Sequence, residues 1–218
     1  MKSRVDETLA QIEAEHGPNP GPYVLANSAY LQSLFSETLR LYSADTVLRG
    51  PSLRDTRIGN WVVPRGKFMG ISSYGRHHDE NYWNTGTEEK AHSLDEFWDE
   101  RFLVSEKRNL RGPSKDPASS GAHSDAAMDA ELSIGRVSDK DLKFSTDGLA
   151  GSYLPFGGGD TICPGRAFAK MEIISTVVYL LKNYEIELLA GRPKFNSGTF
   201  GIGVLSPEGT TPVMIKKM

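Results

Sequence analysis

Tyr153-Leu-Pro-Phe-Gly-Gly-Gly-Asp-Thr-Ile-Cys-Pro-Gly-Arg-Ala-Phe-Ala-Lys170 sets the chain's single cysteine, Cys163, between a run of glycines and the start of an apolar helix. Pro164 suits a first helical position, because its missing N–H is one that a helix end cannot use. Cys163 is therefore expected at the N-cap, where unpaired backbone N–H groups and the helix dipole favour a thiolate. Gly157, Gly158 and Gly159 carry no side chains, so the backbone there can turn sharply and lie close against something flat or bulky, with Phe156 shielding one side. A phosphate cradle needs a Gly-Lys-Ser/Thr ending or a strand-to-helix G-x-G-x-x-G, and neither is present. A flat, metal-bearing macrocycle fits the loop better. The plainer alternative is a glycine-rich turn that caps a buried helix.

Beyond the loop, Phe168, Met171, Ile174, Val178 and Leu181 form the stripe of a helix, and strand-like pieces follow at Gly201 to Leu205 and Pro212 to Ile215. At the other end of the chain Val5, Leu9 and Ile12 predict an amphipathic helix that stops at the breaker Gly17-Pro18-Asn19-Pro20-Gly21-Pro22. A second helix is expected from about Ser28 to Tyr42, with Leu31, Leu34, Phe35, Leu39 and Leu41 in period and Glu37 and Arg40 on one face. Val47-Leu48, Trp61-Val62-Val63 and Phe68 to Ile71, separated by turn residues, predict a small antiparallel sheet. Residues 104–148, rich in Ser, Asp, Lys, Gly, Ala and Pro, read as a flexible surface insert.

The totals narrow the function. At 218 residues, 38% hydrophobic and 24% charged, the chain can bury one compact core. A formal net charge of -3 argues against a nucleic-acid partner. One cysteine excludes an intramolecular disulfide framework and a multi-cysteine zinc site. The longest apolar run, Ile173 to Leu181, is far shorter than the roughly 20 residues of a membrane span, and Met1 to Ala14 is charged throughout. Neither a signal nor a membrane anchor is expected in these residues.

Phe156, Gly159, Cys163, Gly165 and Ala169 fall on the F-x-x-G-x-x-x-C-x-G-x-x-x-A signature, and the chain thereby resembles the cytochrome P-450 family, over its C-terminal half. Glu37-Thr38-Leu39-Arg40 looks like the family's E-x-x-R motif, and Phe97-Trp98-Asp99-Glu100-Arg101-Phe102 resembles its F-x-P-E-R-F stretch, in the family's order. Ile58 to Gly66 is similar to its I-G-x-x-x-P-x-G turn, and His77, Asp79 and Trp83 to its H-x-D segment. The resemblance implies a mainly α fold with a small antiparallel β-sheet (α+β). It also implies haem b (iron protoporphyrin IX) held by an axial thiolate from Cys163, and a buried ion network of Glu37, Arg40 and Arg101. Leu39 to Ala44 and Cys163 to Arg166 look most like the branch of cholesterol seven-alpha-hydroxylase and prostacyclin synthase, which implies an apolar, sterol- or lipid-like substrate. By family, electrons come from an NADPH-dependent reductase, and full-length eukaryotic relatives sit on the endoplasmic reticulum through an N-terminal helix.

The pattern departs from the family in three places. Thr161 stands where many members carry an arginine for a haem propionate, and Arg49 is the candidate replacement, its alternative being a solvated strand charge. Asp99 replaces the proline of F-x-P-E-R-F. The A-G-x-x-T segment of the oxygen-binding helix is not found, so the chain is expected to be a truncated piece of a monooxygenase, or alternatively an inactive remnant that keeps the haem-side fold. His77 and His78 are expected to be loop residues making ordinary hydrogen bonds. A cysteine hydrolase using Cys163 with one of them as base is a third reading.

Overall fold

The computed structural model describes residues 1–116, 141–191 and 193–218. Helix α1 (Lys2–His16) turns Val5, Leu9 and Ile12 inward and ends at Gly17, whose φ of 88° lets its N–H reach back to Glu13 O. A short helix α2 (Pro22–Ala26) follows, because Pro22 fits a first helical position even though it belongs to the breaker. Ser28 caps α3 (Ala29–Tyr42), its hydroxyl accepting from Leu31 N–H. One face of α3 buries Tyr30, Leu31 and Phe35 with the α1 residues in the main core, while Glu37 and Arg40 are buried on another side.

The region after α3 is a pair of nested ladders rather than the single sheet expected. Strand β1 (Thr46–Arg49) pairs antiparallel with β4 (Met69–Ser72), Val47 opposite Ile71. Between them β2 (Thr56–Ile58) pairs with β3 (Trp61–Val63). The chain then forms a one-and-a-half-turn helix α4 (Ser73–His77), so His77 belongs to a helix and not to a loop.

The two flanks of the expected insert are built into the fold. Strand β5 (Leu103–Ser105) pairs with β6 (Leu110–Arg111) and with β7 (Lys143–Phe144) in a three-stranded sheet. Residues 117–140 lie outside the described residues. Helix α5 (Arg166–Asn183) packs Ile174 and Val178 into the main core beside Leu25 and Ala26 of α2. Met171 and Leu181 are half-buried against it, but Phe168, expected in the same stripe, is 67% exposed. Strand β8 (Tyr184–Leu188) pairs with β9 (Val213–Lys217). The strand expected at 201–205 makes only isolated bridges, Gly201 to Asp45 and Val204 to Ser43. No helix among the described residues is long and apolar enough to cross a membrane.

Candidate functional site

Glu37, Arg40 and Arg101 have no side-chain exposure. Arg40 grips the Glu37 carboxylate with two bonds, Nε to Oε2 at 2.8 Å and Nη2 to Oε1 at 3.0 Å. From the other side Arg101 Nε lies 3.1 Å from both oxygens, and Trp98 N–H donates to Oε1 at 3.1 Å. One carboxylate between two guanidiniums leaves an excess of positive charge in a dry place, which requires further acceptors. Backbone carbonyls supply them. Arg40 donates to His77 O at 3.0 Å and Leu94 O at 2.8 Å, and Arg101 donates to Asn84 O and to Ser93 O at 3.2 Å. The Trp83 and Trp98 rings add cation–π contacts to Arg40 and Arg101 at 5.5 and 5.1 Å. Asp99, in the place of a proline, is used as well: its carboxylate accepts from Tyr30 OH at 2.7 Å and its carbonyl from Ser33.

His77 ties this network to the cysteine loop. His77, whose carbonyl Arg40 holds, accepts the Leu154 N–H on Nε2 at 2.8 Å. Tyr153 reaches α3 through its hydroxyl, which donates to Ser36 O at 3.1 Å. Phe156 stacks on Phe35 with ring centres 6.5 Å apart. From there the loop closes on itself: Cys163 N–H donates to Phe156 O at 3.0 Å and Ile162 N–H to Gly159 O at 3.0 Å. Gly157 and Gly159 hold φ of 78° and 62°, a backbone state that side-chain-bearing residues rarely adopt. Alanine at either position is expected to cost about 1 kcal/mol of stability through backbone conformation alone, measurable by urea denaturation, since an added Cβ would meet nothing within 4 Å.

Cys163 is exposed and lies two residues before the N-cap, which is Gly165 and not the cysteine. Cys163-Pro164-Gly165-Arg166 forms a turn, with Arg166 N–H directed at Cys163 O at 3.4 Å and Gly165 at φ -81°, ψ 1°. Proline suits the second position of such a turn as well as it suits a helix start, which is why the sequence pointed to the wrong one. Ala169 lies in the first turn of α5, donating to Gly165 O at 2.9 Å. A Cβ at Gly165 would stand 3.8 Å from the sulfur. Arg49, at the end of β1, comes to the same loop, its guanidinium donating to Gly158 O. Thr161 is exposed in the 3-10 turn Gly159–Thr161.

The family model for Cytochrome P-450 matches residues 3–115 and 135–213. The chain belongs to the cytochrome P-450 family. It is 35% identical over 194 residues to the cytochrome P-450 monooxygenase efuG of Hormonema carpetanum, covering 88% of this chain and 32% of that protein. It is 35% identical over 222 residues to the cytochrome P-450 monooxygenase fsoE of Humicola fuscoatra, covering 100% of this chain and 36% of that protein. Steroid 17-alpha-hydroxylase/17,20 lyase of Gallus gallus is 27% identical over 175 residues, 79% of this chain and 26% of that protein. The chain thus spans about a third of the length of the curated relatives it matches.

Membership in the P-450 family implies haem iron with a cysteine thiolate ligand, and the loop fits that group. Its sulfur is exposed, the Cβ directions of Gly157 and Gly159 open onto free space, and a cationic guanidinium stands beside it. His77 was missed as a part of this arrangement. The only sign of it was its place in the His77-His78-Asp79 segment, since nothing local reveals that it is fully buried. Burial pushes its pKa down to about 3, and its Nε2 lone pair is engaged by Leu154 N–H, so it cannot serve Cys163 as a base.

That depression has a measurable consequence. Between pH of about 3 and 6.5 the unfolded chain protonates His77 and the folded chain does not. The unfolded state then binds more protons, so stability rises with pH across this window and is lost on acidification, by on the order of 1 kcal/mol per pH unit. Urea unfolding measured across the window should show this slope, and His77→Gln should flatten it. His78 and His92, also shifted down by burial, contribute to the part that remains.

Proposed function

We propose that this chain forms the haem-thiolate side of a monooxygenase that inserts one oxygen atom from dioxygen into an apolar organic substrate. The observation that carries the reading is an exposed Cys163 on a glycine loop held through His77 against the buried Glu37–Arg40–Arg101 network and through Phe156 against Phe35 of α3. Cys163 would hold the haem iron through its thiolate. Gly157, Gly159 and Gly165 keep the backbone bare beside it, Phe156 seats the loop on α3, and Ala169 lets α5 start directly behind it. Arg49 is the propionate partner that Thr161 cannot be, since a guanidinium can meet a carboxylate with two bonds.

Haem iron bound there would supply dioxygen activation, and a thiolate ligand would donate electron density to it. The chain's own part is to hold the sulfur in register and to present Arg49. An A-G-x-x-T segment is not among these 218 residues, so proton relay to dioxygen is assigned to no side chain here. Electrons come from an NADPH-dependent reductase. A sterol-, lipid- or secondary-metabolite-like substrate is supported by the style of Leu39 to Ala44 and of Cys163 to Arg166, and a relative is named for a steroid reaction. The eukaryotic relatives' setting, the endoplasmic reticulum membrane, is proposed for the full-length protein.

The test is the carbon-monoxide difference spectrum of the reduced chain with haem supplied, beside Cys163→Ala. A strongly red-shifted Soret band that disappears in the variant is the expected result. No haem uptake, or a band indifferent to Cys163, would favour the second reading, a chain that keeps the haem-side fold without oxidising anything.

A further inference from the structure

Helix α4 holds the chain ahead of the glycines at two points. From its last turn Arg76 donates to Gly151 O at 3.3 Å and to Ser152 Oγ at 3.2 Å. One residue on, the fully buried His77 accepts the Leu154 N–H on Nε2. Arg76 is half-buried, and its guanidinium is shared with Asp79 and the Tyr82 ring. The dry, directional contact is therefore the one made by His77.

The other nitrogen of that ring shows what the histidine is kept for. With Nε2 accepting, Nδ1 must carry the proton. Nδ1 has no hydrogen-bond partner among the described residues, although the residue has no exposure. A buried N–H without an acceptor costs free energy that a phenyl ring, placed in the same way beside Trp83 and Tyr153, would avoid. Packing does not explain a histidine at this position, whereas the bond to Leu154 does.

Leu154 is where that bond meets the loop. Its N–H is directed at His77, and its carbonyl accepts from Gly157 N–H at 3.3 Å. Two residues on, Phe156 O accepts the Cys163 N–H at 3.0 Å. The short run Leu154-Pro155-Phe156 thus connects His77 to the backbone of Cys163. Pro155 fixes its own φ and favours an extended Leu154, so the run transmits position rather than absorbing it.

We propose that His77 is a positioning residue for the Cys163 sulfur, setting through Leu154 where the glycine loop presents it to haem iron. His77 touches no reacting atom, and its role presupposes the haem-thiolate reading.

Glutamine and asparagine separate the acceptor from the rest of the side chain. A glutamine carbonyl can reach the place of Nε2, whereas an asparagine carbonyl ends near the place of Nδ1 and leaves the Leu154 N–H without an acceptor. Hydrogen exchange at the Leu154 amide of the haem-free chain should be about tenfold or more faster in His77→Asn than in the parent, and within about threefold of the parent in His77→Gln. With haem supplied, the reduced, carbon-monoxide-bound His77→Asn chain should carry most of its Soret intensity at the position of a haem without thiolate. His77→Gln should restore the red-shifted band. Both variants place an amide in the same interior, so a general loss of folding would appear in both alike. Equal Leu154 exchange in the two variants, or equal shares of red-shifted band in them, would overturn the role. Failure of the parent itself to take up haem would instead remove the function reading, and exchange at Leu154 would then decide by itself whether His77 holds the loop.

Discussion

Glu37→Gln is expected to destabilise the chain by about 3–5 kcal/mol, read as a lowered urea midpoint with an unchanged slope. The substitution keeps volume and shape, so packing cannot account for the loss. What it removes is the single negative charge between Arg40 and Arg101, both without side-chain exposure. It also exchanges an acceptor for a donor at one of the two oxygens that Arg40 and Arg101 share. The carbonyls of His77, Leu94, Asn84 and Ser93 remain, but dipoles alone must then hold two full charges in a dry interior. A stability within about 1 kcal/mol of the parent would mean that water enters the site, and that the network is an ornament of the fold and not a support for it.

Cys163→Ala should do the opposite. The thiol is exposed and lies outside both apolar clusters, so its removal should leave the haem-free chain within about 0.5 kcal/mol of the parent. Under the proposed function it should also remove the entire red-shifted Soret band of the reduced, carbon-monoxide-bound chain. The pair separates two roles that a spectral measurement alone would merge. Loss of the band with stability intact marks a ligand, and loss of both marks a residue that holds the ligand's surroundings together.

Much of the fold could be read from local patterns. Val5, Leu9 and Ile12 fixed α1, the period from Leu31 onward fixed α3, and the glycines before Cys163 marked its loop. Failures occurred where a residue type is compatible with two local structures or where pairing is remote. Pro22 and Pro164 each suit both a helix start and a turn, and the reading of each was wrong in the opposite sense. Strand β8 follows α5 with no glycine or proline between, so no punctuation separated them. The nested order of β1 to β4 is set by pairing register, which local alternation does not reveal. At the site, the cysteine motif was legible, and the Glu37, Arg40 and Arg101 network was implied by the family resemblance. The burial of His77 was not, because the groups that enclose it, Trp83 and Tyr153, come from separate parts of the chain.

Arg40 and Arg101 grip the 77–98 segment almost wholly by main-chain oxygens. Most residues from Asp79 to Glu96 can therefore change identity without loosening either guanidinium, because every substituent brings the same carbonyl. Inserting or deleting one residue is another matter: it would move Asn84, Ser93 or Leu94 by about 3.5 Å, beyond hydrogen-bond reach. Homologous chains sharing this grip should vary in spelling at the exposed positions of that segment, keep the buried Trp83 and Leu94 apolar, and hardly vary in length.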